Sequence, residues 1–180
     1  LALAGISTYG GGTQVSGGVL RVDGAIGTGA VEVAAGATLG GTGLVGGPVT
    51  SAGTVAPGAS TGALQLQAGY TQLAAGRLAL EAAGAADHDV LRVTGAAQLD
   101  GELALTLLAY TPAAGSVHTV LVAGAVSGTF ATTNLPALGG GQVWVVTYGA
   151  QEVTLAVTGS GSPAPYDLWA AAIPNPAQRG

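Results

Sequence analysis

Cysteine, methionine and lysine are all absent from the 180 residues, and aromatic side chains make up only 4% of them. Without cysteine there is no disulfide framework and no thiolate metal site. A secreted protein of this composition must be held by packing and backbone hydrogen bonds alone. Charged residues amount to 7%, against roughly 25% in an average domain, which excludes a disordered polyelectrolyte and a coiled coil. Four arginines face nine acids, for a formal net charge of −5. The basic footprint of a nucleic-acid-binding protein is therefore missing. No run approaches roughly 18 apolar residues without a glycine or polar break, so no transmembrane segment is expected. The chain starts at Leu1 with no signal-peptide pattern, which fits either a mature product or a piece of a longer parent chain.

What is present is small, apolar and rich in glycine. Hydrophobic residues account for 48%, with 33 glycines and 8 prolines. Short runs alternate strictly: Val19-Leu20-Arg21-Val22, Val31-Glu32-Val33, Leu64-Gln65-Leu66, Leu78-Ala79-Leu80, Leu103-Ala104-Leu105-Thr106-Leu107 and Val153-Thr154-Leu155-Ala156-Val157. Alternation at period 2 marks strands with one buried face, and glycines punctuate the runs. Helical spacing is missing before Tyr166, so the class is all-β. The alternation predicts inward positions at Leu20, Val22, Val31, Val33, Val55, Leu64, Leu66, Leu78, Leu80, Val93, Leu103 and Leu105.

A longer period overlies the first. Val22, Val33, Leu44, Val55 and Leu66 recur every 11 residues, and Leu80, Val93 and Leu105 continue at slightly longer steps. Fixed long periods mark repeat architectures. Two half-units would make a repeat of roughly 22 residues, within the usual range for a solenoid. A β-sandwich competes, since short strands at such spacings fit it as well. The regular interval and the shortage of aromatics favour the solenoid, whose narrow interior is expected to exclude rings.

The run from Tyr9 to Val22 resembles the autotransporter-associated β-strand repeat. The resemblance continues through Gly36–Gly43, Val55–Gly62, Gly69–Gln72, Asp89–Gly95 and Ser127–Phe130, covering most of residues 1–158. It implies a right-handed parallel β-helix in a secreted or surface-displayed bacterial protein, at the outer membrane of a Gram-negative-type cell, serving as a stalk or passenger scaffold. The outer-membrane barrel that often follows such repeats is not in this chain. Residues 1–158 are expected to form the solenoid, with a C-terminal β cap from about 108 that uses Phe130, Trp144 and Tyr148. Gly159 to Pro165 reads as a linker. Residues 166–180 form a tail in which Tyr166–Ile173 reads as two helical turns stopped by Pro174. This tail is similar to a segment that ends some large secreted bacterial proteins ahead of Asp-rich calcium loops. The chain ends before any such loop, so no calcium site is carried over.

Three motifs have chemical associations. Gly41-Thr42-Gly43-Leu44-Val45-Gly46 spells the dinucleotide fingerprint, but Gly47-Pro48-Val49-Thr50 cannot open the helix which that fingerprint needs. Gly58-Ala59-Ser60-Thr61-Gly62 spells a nucleophile elbow, and the order Ser60, Asp100, His118 mimics a hydrolase triad. The alternation after Thr61 says strand rather than helix, so a turn is expected. Asp87-His88-Asp89 is the densest polar cluster. Three consecutive strand residues do not face one way, so a turn whose Asp side chains bond nearby backbone is expected rather than a metal site. His118 is expected to face outward from a strand.

If equivalent positions recur at 11, one outward row reads Arg21, Glu32, Gly43, Thr54, Gln65, Ala79, Arg92 and Ala104. It contains no adjacent carboxylates of the kind a glycan-cleaving cleft needs. Tyr9 and Tyr70 are too isolated to form a sugar-stacking platform. No catalytic, cofactor-binding or metal-binding residue is assigned, and no cofactor is expected. The expected function is a non-catalytic scaffold. The alternatives are an adhesin-type module for a glycan or surface protein, or a polysaccharide-active β-helix enzyme. Expected partners are other segments of the parent chain and copies joined through the solenoid ends.

Overall fold

The positions predicted to face inward are all buried, and the strands that carry them pair side by side in parallel. The structure is a computed structural model and describes residues 1–159. The tail 166–180 and the linker beyond Gly159 lie outside the described residues, and Gly159 itself ends a strand.

The strands follow a recurring order. After β1 (Ala2–Leu3) and β2 (Thr13–Val15) come β3 (Gly18–Val22), β4 (Ala25–Ile26) and β5 (Val31–Val33). The same three-strand unit recurs as β6 (Ala37–Gly41), β7 (Leu44–Val45) and β8 (Val49–Ser51), then as β9 (Thr54–Pro57), β10 (Ala63–Leu66) and β11 (Tyr70–Gln72). The later units are longer. β12 (Arg77–Ala82) is followed by the single long β13 (Val90–Leu99), and β14 (Glu102–Leu107) by β15 (Val117–Gly128). The chain closes with β16 (Thr132–Asn134), β17 (Gln142–Tyr148) and β18 (Glu152–Gly159). No helix occurs among the described residues.

The first strand of each unit joins one sheet, ordered β1-β3-β6-β9-β12-β14-β16. The remaining strands join a second sheet, in which β13 pairs with both β10 and β11 and so replaces two short strands of earlier units. Every strand ladder through residues 19–107 is parallel, as the alternation and the long period predicted. Among the described residues the antiparallel ladders are β15–β18 and β17–β18.

Register stacks like on like. In the first sheet Leu20, Leu39, Val55, Leu78 and Leu103 form one buried column. In the second, Ile26, Val45, Leu66, Val93 and Ala123 form another. Fully burying a Val or Leu side chain contributes about 1.5–3 kcal/mol, so these columns dominate the stability.

The 11-residue period is not the structural repeat. Leu39 pairs with Val55, 16 positions on, whereas Leu103 pairs with Thr133, 30 positions on. Residues spaced by 11 are scattered over both sheets rather than stacked, and at β7 it is Val45 rather than Leu44 that turns fully inward. Corner loops of unequal length separate the strands, and a local spacing carries no information about them. The outward row read at that period is accordingly not a physical row. Glu32 aligns with Gln14 and Thr50, and Gln65 with Leu44 and Arg92.

Glycines sit where neighbouring units come too close for a side chain. A Cβ on Gly43 would collide with the Gly24 carbonyl oxygen of the preceding unit.

Candidate functional site

The corner between β9 and β10 holds the Gly58–Gly62 segment. Gly58 has φ +91°, and a Cβ there would strike the Ser60 carbonyl and the Asp89 carboxylate. Thr61 Oγ1 donates to the Asp87 carboxylate. Asp89 is buried, with Oδ1 accepting from the Gly62 N–H and Oδ2 from the Glu81 N–H, both at 2.8 Å. Its carboxylate thereby ties together the segments leading into β10 and along β12. Burial pushes its pKa up to about 7, against the pull of the two N–H donors. The expected turn with Asp side chains on nearby backbone is not what forms: the Asp87 carboxylate is bonded by the Thr61 side chain, and Asp89 holds backbone N–H groups 27 and 8 positions away.

Over this corner lies a groove of about 300 Å³ on the outer face of the first sheet, lined by Arg21, Gly40, Ala56, Ser60, Glu81 and Asp89. Its floor is glycine and alanine because Gly40 pairs with Arg21 on one side and with Ala56 on the other. The Arg21 guanidinium is engaged by Asp23 at 2.7 Å, which holds the Asp23 carboxyl below its ordinary range.

The sequence order Ser60, Asp100, His118 does not become a triad. Ser60 is exposed at the groove. Asp100 caps its own turn, with Oδ1 accepting from the Gly101 N–H at 2.7 Å. His118 is buried in β15. No hydrogen bond joins any two of them among the described residues. The segment after Gly62 is β10, as its alternation predicted. Of the glycines in Gly41–Gly46, Gly41 ends β6, Gly43 lies in the corner before β7 and Gly46 follows β7.

His118 does not face outward as expected. It is 2% exposed, in phase with Val120, because β18 pairs along β15 and Trp144 comes within 6.0 Å ring to ring. Tyr110 lies edge-on at 5.8 Å, and His88 at 5.2 Å with an interplanar angle of 82°. His88 Nε2 lies 3.1 Å from the Thr119 carbonyl, so this nitrogen carries the proton and donates. His88 Nδ1 and both ring nitrogens of His118 are buried without a hydrogen-bond partner. Burial pushes the His118 pKa down, and His88 adds to this. The Ala85 backbone opposes both.

Two further interior polar groups escaped the sequence reading. Tyr70 is fully inside, contrary to the expectation that rings are excluded. Its column runs Val31, Val49, Tyr70, Ala97, and the small Ala97 leaves room for the ring. Gln72 is buried with it. The signal for Asp89 and for His118 was the phase: each lies an even number of positions before a buried apolar residue on its own run.

No group of three or more His, Asp and Glu side chains gathers among the described residues, and no helix there is long and apolar enough to cross a membrane. The fold and these sites together define an all-β protein of two mainly parallel sheets with a polar corner and a histidine pair, His118 buried and His88 half-buried. No protein-family model matches the chain, and no curated protein sequence is similar to it.

Proposed function

We propose that the strand units coil into a right-handed parallel β-helix and that this chain is a non-catalytic scaffold. It would serve as the stalk or passenger of a secreted or surface-displayed bacterial protein. The observation that carries the reading is the in-register stack Leu20–Leu39–Val55–Leu78–Leu103. Each unit's backbone is satisfied by its two neighbours, so units add length without a new core, which is how a rod is built. The antiparallel β17–β18 pair, with Phe130, Trp144 and Tyr148 against the core, serves as its C-terminal cap. The surface location rests on the resemblance to the autotransporter-associated repeat.

The test is display on intact cells scored by antibody labelling. Val55→Asp or Leu66→Asp should abolish display, because an unpaired charge is expensive to bury. Ser60→Ala should leave it unchanged. A hydrolytic activity that Ser60→Ala removes while the chain stays folded would overturn the reading. The groove beside Arg21 and Glu81 is the observation favouring the second reading, an adhesin-type module. Binding on a glycan array that Glu81→Gln removes would favour that reading.

A further inference from the structure

We propose that His88 and His118 form a two-coordinate site for a soft monovalent d10 cation, Cu(I), ligated by Nδ1 of His88 and one ring nitrogen of His118. This site is independent of the scaffold reading.

The argument starts from unmet valence. Buried polar atoms are nearly always hydrogen-bonded, and an orphaned one calls for an ion, a water or a functional role. Here three imidazole nitrogens are orphaned together. The Thr119 carbonyl, at 3.1 Å from His88 Nε2, fixes the ring's tautomer. Nδ1 is then left as a bare lone pair, the state in which histidine binds metal, held by the kind of outer carbonyl contact that orients metal-ligating imidazoles. The His118 ring lies 5.2 Å away, centroid to centroid. Two ring nitrogens, each ~2.0 Å from a shared ion, would hold the centroids roughly 6 Å apart. The observed centroid separation falls short of that by under about an ångström.

The donor count selects the ion. Zinc takes four ligands, and calcium and magnesium take six or more oxygens. No third His, Asp or Glu joins the pair among the described residues, and the chain has neither cysteine nor methionine. Two neutral imidazoles in a site walled by Tyr110 and Trp144 suit a cation that is content with two nitrogens and carries a single charge. His88 lines a pocket open to the surface, with Asp87 and Arg92 also on its wall.

The experiment uses the full chain carrying Trp169→Phe, so that Trp144 is the only indole. Cu(I) is titrated under anaerobic reducing conditions against a competing chelator, with Ag(I) as a redox-inert mimic and Zn(II) for comparison. The expected result is one Cu(I) or Ag(I) per chain, quenching of Trp144 fluorescence, and much weaker Zn(II) binding. His88→Gln and His118→Phe should each weaken the site by at least about 100-fold. Far-UV circular dichroism checks the fold, and if His118→Phe does not fold, His88→Gln decides. Absence of Cu(I) binding, equal binding in the variants, or tighter Zn(II) binding would overturn the proposal.

Discussion

The Tyr70 hydroxyl donates to Gln72 Oε1 at 2.7 Å, two positions along the same inward face of β11. Gln72 Nε2 in turn shares its hydrogens among the carbonyls of Gly76, Asp100 and Glu102, at 3.2, 2.6 and 3.0 Å. A polar chain inside an apolar stack thus joins two successive units. Tyr70→Phe leaves a buried acceptor without its donor and should cost about 1–3 kcal/mol in urea unfolding. Gln72→Leu orphans several groups at once and should cost more. If Gln72→Leu is neutral, the network contributes nothing to stability.

Asp89 makes stability fall with rising pH. Its folded pKa is raised from 3.8 to about 7, so between these values the folded state holds a proton that the unfolded state has released. The stabilisation is complete below 3.8 and is lost as pH rises through 7. Melting temperature in metal-free buffer should therefore decline from pH 4 to pH 7. Asp89→Asn should flatten that slope and lower the melting temperature, since an amide cannot accept from both N–H groups. An unchanged slope in the variant would place its source elsewhere.

Close approach between units makes a sharp pair of glycine tests. Gly43→Ala drives a Cβ into the Gly24 carbonyl, whereas Gly17 has open space around it. Thermal melts should show Gly43→Ala destabilised by several degrees and Gly17→Ala unchanged. Equal melting of the two would contradict the stacking distance.

Trp144 Nε1 donates to the Pro136 carbonyl at 3.0 Å while its ring packs against the core. Trp144→Ala should uncover apolar surface at the C-terminal end, lower the melting temperature and produce aggregates in size-exclusion chromatography with light scattering. A monomer with unchanged melting would remove Trp144 from the capping role.

Side-chain alternation is a local property, and it was enough to place Leu20, Leu64, Leu78 and Leu103 inside. The same phase applied to Asp89 and His118 would have put both inside. An isolated ionisable side chain is normally costly to bury, and the groups that make it tolerable here belong to other units. Asp89 needs the Gly62 and Glu81 N–H groups, and His118 needs the cover of Trp144 and Tyr110.

The sequence alone determined the all-β class, the inward face of the strands that carry Leu20, Val33, Leu64, Leu78 and Leu103, and the turn at Gly58–Gly62, because strand period and glycine punctuation act within a few residues. Only the tertiary structure decided which strands are neighbours. Backbone pairing couples residues 16 to 30 positions apart, across corners whose lengths differ from unit to unit. The histidine pair arises in the same way: His88, just before β13, meets His118 because β13 and β15 align in register, and no spacing along the chain encodes that contact.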